Sequence, residues 1–142
     1  MNKLPALKAD FPVQHHDFYH EFEQWQKENN NHPYQGGIYT LRTSIPVPRA
    51  LETDPEGILY IGKGIILDVH SRIGNLINSL NNTDMRHEAG VRYNEYNFAS
   101  LYKINTLRLY IEVMEDAAHE ENKRLHSYLK KFGDLPPLNR QM

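Results

Sequence analysis

Residues 106–114, TLRLYIEVM, place Leu107, Leu109, Ile111 and Val113 in strict alternation with Arg108, Tyr110 and Glu112. Successive side chains of an extended chain point to opposite faces, so this pattern describes a strand with one apolar and one polar face. A strand of that kind is stable only inside a sheet whose apolar face is covered. Two other stretches are suited to join it. GGIYTLRT enters through paired glycines into the strand formers Ile38, Tyr39, Thr40 and Leu41, and residues 57–62 form a second short apolar run. Between them SIPVPRALETDPEG carries Pro46, Pro48 and Pro55, which removes regular pairing from that span.

Helical periodicity marks the remaining segments. Phe18, Phe22 and Trp25 recur at helical spacing and predict a helix over 15–29, ended by Asn29, Asn30, Asn31 and Pro33. Asp68 is a suitable N-cap for a helix over 69–80 with Val69, Ile73, Leu76 and Leu80 on one stripe. A last helix is expected over 117–131, closed by Gly133, and a short one around 94–102. Residues 1–13, broken by Pro5 and Pro12, read as an irregular lead-in. The order helix, strand, strand, helix, strand, helix predicts an α+β fold, a small sheet flanked by helices.

Composition restricts function more than fold. At 142 residues and 39% hydrophobic content the chain can bury a core. It has no cysteine, which removes disulfides, thiolate metal sites and cysteine nucleophiles. No apolar run approaches the ~20 residues of a membrane span, and the N-terminus lacks a signal-peptide core, so a cytoplasmic protein is expected. The net charge is −2, and residues 37–114 carry eight Lys/Arg against eight Asp/Glu. Any nucleic acid is therefore held by a local groove rather than a global field.

GILYIGKG at 57–64 approaches a phosphate-binding loop, but its interior Ile58, Leu59, Tyr60 and Ile61 favour a pleated strand over an amide cradle. Gly64 also stands where such a loop needs a hydroxyl. Paired with Gly37-Ile38-Tyr39, the tripeptide Tyr60-Ile61-Gly62 instead resembles the GIY-YIG nuclease family. The ordered set supports this: Lys63 directly after the second strand, Arg72 in the next helix, a carboxylate in the last helix and Asn139 near the C-terminus. The tail FGDLPPLN is similar to a bacterial branch of that family. The resemblance covers residues 36–142, with residues 1–35 as an N-terminal helical extension. It implies a three-stranded antiparallel sheet and metal-dependent hydrolysis of a nucleic-acid phosphodiester, DNA ahead of RNA. Twenty residues separate Tyr39 from Tyr60, more than the hairpin usual in the family, and residues 43–56 are expected as a surface insert at the rim of the site.

The expected chemistry follows from those positions. Tyr39 and Tyr60 lie on adjacent strands, and a phenol needs a cationic neighbour to act as a base near neutral pH. Lys63 is the expected cation and Tyr39 or Tyr60 the expected base, with Tyr39 preferred and Tyr60 as its hydrogen-bonding partner. Arg72, between Val69 and Leu76 on its helix, points toward the sheet and suits a phosphate. In the last helix Glu121 shares the stripe of Leu125, Tyr128, Leu129 and Phe132, whereas Glu120 lines up with Arg124 and Ser127. Glu121 is therefore the expected ligand of Mg²⁺, or Mn²⁺, with water completing the shell. By resemblance Asn139 orders the site through its amide. Gly62, His70, His87 and Arg92 are expected to lie against substrate. His16 and His20 have the spacing of a metal pair but lack a third ligand. Two other functions compete: a non-catalytic nucleic-acid-binding or regulatory module on the same fold, and an interaction protein that dimerises through the helix around Trp25.

Overall fold

The computed structural model describes residues 7–29, 36–64 and 72–140. In chain order these form β1 (Leu7–Pro12), α1 (His15–Glu28), β2 (Gly37–Thr43), β3 (Ile58–Gly64), α2 (Arg72–Leu80), α3 (Glu88–Glu95), α4 (Phe98–Leu101), a 3₁₀ turn (Ile104–Thr106), β4 (Leu107–Val113) and α5 (Ala117–Phe132). The strands build one antiparallel sheet in the order β1-β4-β2-β3. The protein is α+β, with four strands rather than the three expected. The start of the helix expected over 69–80, with its Asp68 cap, lies outside the described residues, as does His70.

The additional strand is β1, in the segment read as an irregular lead-in. It pairs along its length with β4, from Leu7 opposite Val113 to Pro12 opposite Arg108. Pro5 and Pro12 had argued against a strand, but β1 is the sheet edge and Pro12 is its last residue, where a missing N–H costs little. Lys8 and Asp10 face the polar side and pair with Glu112 and Arg108 across the β4 ladder.

The alternation in β4 divides the molecule into two layers. Leu107, Leu109, Ile111 and Val113 join Tyr39, Leu41 and Leu59 beneath α1, α2 and α3, with Phe18, Phe22, Ile73, Leu76, Ile77 and Tyr93 as cover. On the other face α5 lies over β2 and β3, where Leu125, Tyr128 and Phe132 meet Ile38, Ile58 and Ile61. Leu129, expected on that inward stripe, is 40% exposed because the contact runs through 125, 128 and 132. Gly133 ends α5 in the left-handed region at φ 78°, donating its N–H to Leu129 O. The poorly patterned stretch between α2 and β4 holds α3, which starts before the helix expected around 94–102, and α4, a shorter helix within that span.

The apolar stripe of α1 is spent within the chain. Phe11 of β1 meets Phe18, Phe22 and Trp25 edge-on at 5.9, 5.5 and 5.7 Å between ring centres. Residues 7–29 thus share the sheet and the core with the rest of the chain, and Trp25 packs partly buried against that core.

The insert between β2 and β3 also folds back on the body. Val47 and Asp54 form a bridge, and Leu51 N–H donates to Phe132 O at 2.9 Å. Arg49 pairs with Asp134 at 3.1 Å. The insert therefore packs on the C-terminal end of α5. Glu121 lies eleven residues earlier on that helix, or ~16 Å at 1.5 Å per residue, so the insert does not form the rim of the site. Asp54, fully buried, accepts from Glu56 N, Ile58 N and Tyr128 Oη at 2.9–3.0 Å and anchors the start of β3.

Because Phe22 is fully buried among three aromatic rings, Phe22→Ala is expected to cost about 3–5 kcal/mol. Calorimetry should show one cooperative transition at lower temperature. Two transitions, with only the smaller one shifted, would mean that α1 folds as an independent appendage.

Candidate active site

The register of β2 and β3 places Tyr39 opposite Gly62. Tyr39, Tyr60 and Gly62 thereby share one sheet face, and the tyrosine rings close over the glycine. A Cβ at Gly62 would stand 2.6 Å from Tyr39 Cζ and 2.7 Å from Tyr60 Cε2, so only glycine fits. The ring centroids of the two tyrosines are 6.0 Å apart. Gly62, expected to touch substrate, is buried and serves as the floor of the pair.

His87 closes the cluster from the helical layer. Its ring lies 6.1 Å from Tyr39 and 5.2 Å from Tyr60, edge-on to both. Ala89 N–H donates to His87 Nδ1 at 3.2 Å, which makes His87 the N-cap of α3. With Nδ1 accepting, the neutral ring carries its proton on Nε2. That N–H donates to Tyr39 Oη at 3.0 Å. His87 is 1% exposed, so it supports Tyr39 instead of meeting substrate. Burial, with the Arg72 and Arg92 guanidinium groups nearby, lowers its pKa to about 3.

The two phenols differ in access. Tyr39 is 1% exposed, and burial holds its pKa far above the ordinary value despite the opposing charge of Arg72. Tyr60 is half-buried; burial raises its pKa too, while Tyr39 beside it and the charges of Arg72 and Arg92 favour its ionised form. The expected base, Tyr39, is therefore shut away from water, and Tyr60 is the phenol at the surface.

Arg72 opens α2 in the described chain and is exposed, donating from Nη1 to Arg86 O at 3.1 Å. It supplies the positive charge at the tyrosines that had been expected of Lys63. Lys63 pairs with Ile38 in the β2–β3 ladder and so points to the opposite sheet face. There it meets Glu121 Oε1 at 3.9 Å. Glu121 is half-buried, and burial raises its pKa while Lys63 acts in the other direction. Glu120 binds Arg124 at 3.2 Å on the side expected of it. The cluster thus straddles the β3 edge: Tyr39, Tyr60, His87 and Arg72 on one face, Lys63 and Glu121 on the other. Glu121 still acts on Tyr60, opposing its ionisation.

The C-terminal segment holds that edge in place. Leu138 N–H donates to Leu59 O at 2.8 Å, and Asn139 then replaces a strand partner with its side chain. Its Oδ1 accepts from Ile61 N and its Nδ2 donates to Ile61 O, both at 2.9 Å. This bracket covers a sheet edge that would otherwise expose unpaired amides. Arg92, expected against substrate, is 7% exposed and gives its guanidinium to Leu138 O, at 3.1 Å from Nε and also through Nη2. It anchors the tail.

Other candidates fall outside the cluster. His16 and His20 stack at 6.3 Å on the exposed side of α1, and no group of three or more His, Asp or Glu suited to a metal occurs among the described residues. A cleft of about 620 Å³ beside α5 is lined by Arg42, Tyr110, Glu112, Lys123 and Arg124, away from the tyrosines. One of its acids, Glu112, is satisfied by Arg124 at 3.1 Å and Lys8 at 3.6 Å. Sequence reasoning missed Ser79, which accepts the His87 N–H at 3.1 Å and positions the imidazole. A lone serine late in a helix carries no signal for that role. No helix among the described residues is long and apolar enough to cross a membrane.

The pH response of His87 follows from its burial. Its folded pKa is about 3 and its unfolded value ~6.5, so the unfolded chain binds the extra proton between those limits. Stability is complete above the unfolded value and falls as pH drops, by up to ~1.4 kcal/mol per unit from this group. His87→Gln should show a shallower loss than the parent across that window in denaturant titrations; equal slopes would contradict a buried neutral imidazole. Asn139→Asp, which sets a carboxylate oxygen against Ile61 O, should cost about 1–3 kcal/mol and speed hydrogen exchange at Ile61 N–H. Unchanged exchange would rule out the bracket as the edge restraint.

Comparison of the chain with models of known protein families, with curated proteins and with solved structures finds no match.

Proposed function

We propose that this chain is a GIY-YIG-type endonuclease that hydrolyses phosphodiester bonds, with DNA as its substrate. The observation that carries this reading is the convergence of Tyr39, Tyr60, His87 and Arg72 at the β3 edge, with the Lys63–Glu121 pair at the same strand end. Phosphodiester hydrolysis needs an activated water, a cation for the phosphate and support for developing negative charge, and this edge brings candidates for all three together.

The roles of the two tyrosines are the reverse of those expected from sequence. Tyr60, half-buried, first loses its phenolic proton to solvent, and the resulting phenolate takes a proton from the attacking water and returns to the neutral phenol. His87 Nε2–H donates to Tyr39 Oη, and Tyr39 beside Tyr60, with the charges of Arg72 and Arg92, favours that ionised form. Arg72, exposed and within electrostatic reach of both phenols, holds the scissile phosphate and lowers the cost of ionising Tyr60.

Glu121 suits a hard divalent ion. It is a half-buried carboxylate whose 3.9 Å pairing with Lys63 is loose, and Mg²⁺ needs only one or two protein carboxylates beside its waters. Mg²⁺ or Mn²⁺ held there would supply charge neutralisation at the phosphate oxygens.

Purified protein incubated with plasmid, branched DNA and RNA, with Mg²⁺ or EDTA, tests the reading. Cleavage of DNA in Mg²⁺ is expected, with a loss of at least ~10²-fold in Glu121→Ala. Tyr60→Phe should lose more activity than Tyr39→Phe. Binding without cleavage of any substrate would favour the non-catalytic module, and a Glu121→Ala protein as active as the parent would exclude this site.

A further inference from the structure

Residues 81–87 join α2 to α3, and within that span residues 84–86 make no backbone–backbone hydrogen bond among the described residues. Two groups assigned to chemistry nevertheless depend on this irregular stretch. Arg72 donates to the Arg86 carbonyl at 3.1 Å, and the next residue is His87, which backs Tyr39. An exposed arginine and a chain without a ladder both have many conformations open to them, so their placement needs a separate restraint.

One carboxylate oxygen supplies it. Asp84 Oδ1 accepts from the Arg86 N–H at 3.1 Å, closing a turn through its side chain, and from Ser79 Oγ at 3.1 Å. The Asp84 carboxyl is held below its ordinary pKa by the Arg86 N–H first and by the Ser79 hydroxyl, against the effect of burial. An ionised carboxylate only accepts, so the Ser79 hydroxyl donates to it and turns a lone pair toward the His87 N–H, 3.1 Å away. Ser79 is 1% exposed and α3 presses on it, since a Cβ at Gly90 would stand 2.4 Å from Ser79 Cβ.

The His87 N–H and the Arg86 carbonyl belong to one peptide unit. That unit is planar and trans, so its N–H and C=O point in opposite directions. Seating the N–H on Ser79 therefore aims the carbonyl away from it, at Arg72. We infer that Asp84 is a positioning residue for the candidate site: through the Arg86 N–H and Ser79 it fixes the Arg86–His87 peptide, and with it both Arg72 and the donor behind Tyr39. This rests on the nuclease reading for its consequence in catalysis, where a displacement of ~1 Å in a positioning group can cost about 10²-fold.

NMR of isotope-labelled protein reads the placement without any substrate. In the parent, His87 should give one neutral imidazole form with its proton on Nε2, and the Arg72 side-chain N–H should exchange more slowly than that of a free guanidinium. Asp84→Ala and Ser79→Ala should each double or broaden the His87 signals and speed exchange at Arg72. Asp84→Asn, whose amide oxygen can accept both bonds, should keep the parent signals. Thr83→Val, which removes a bond to Asn78 O in the same loop, should keep them as well. DNA cleavage should follow the same order, with kcat about 10- to 100-fold lower in Asp84→Ala and near the parent in Asp84→Asn. The assignment is overturned if Asp84→Ala or Ser79→Ala leaves both signals unchanged, or if Asp84→Asn or Thr83→Val disturbs them as much. Should Asp84→Ala fail to fold, Ser79→Ala against Asp84→Asn decides in the same way. Signals that respond in this order in a protein that cuts no DNA keep Asp84 in its role and remove the nuclease reading. Parent-like cleavage and parent-like signals in Asp84→Ala do the reverse.

Discussion

The close approach of two tyrosine rings over Gly62 sets the geometry on which the rest of this protein depends. The β2–β3 register puts Tyr39 opposite Gly62, and the absence of a Cβ there lets both rings lie against the strand. A shift of one residue would turn the phenols to the α5 face and Lys63 to the helical one. The register is held at both ends of β3. Asp54 receives the amide of Ile58 at its start, and Asn139 brackets Ile61 nearer its end. Two residues distant in sequence thus fix where Tyr60 stands.

Charge is arranged locally, as a net charge of −2 requires. The acids on the α5 face are drawn into pairs with Arg124 and Lys8. On the helical face the balance is positive, because Arg72 and Arg92 both act on His87 while Arg92 itself is buried against Leu138 O. Burial first, and then that field, keeps His87 neutral, and a neutral ring whose Nδ1 is occupied offers Nε2–H to Tyr39. The buried histidine is therefore a directional donor. Its protonation would place a second cation beside Arg92 in a dry setting.

Much of the fold was legible along the chain, for a common reason. β4, α1 and α5 each carry an uninterrupted hydrophobic period, and each appears within a residue or two of the expected span. The edge strand β1 was hidden because its pattern is short and its prolines outweighed it, although an edge position tolerates Pro12. α3 was hidden because its sequence, EAGVRYNE, has one apolar turn and takes its cap from a histidine. Among site residues, the split between Glu120 and Glu121 was readable from helical phase. The partner of Lys63 was not, since the cation that reaches the tyrosines comes from another element.

By itself the sequence determined that this chain builds a small sheet flanked by helices, and that two tyrosines on neighbouring strands could share a face. Those properties are local, set by the periods of strand and helix. The tertiary structure alone decided which phenol meets water, that Arg72 is the cation beside them, and that His87 and Arg92 work from inside. Burial and partner identity depend on contacts between residues far apart in the chain, 78 positions at Ile61 and Asn139, and no local pattern encodes such a distance.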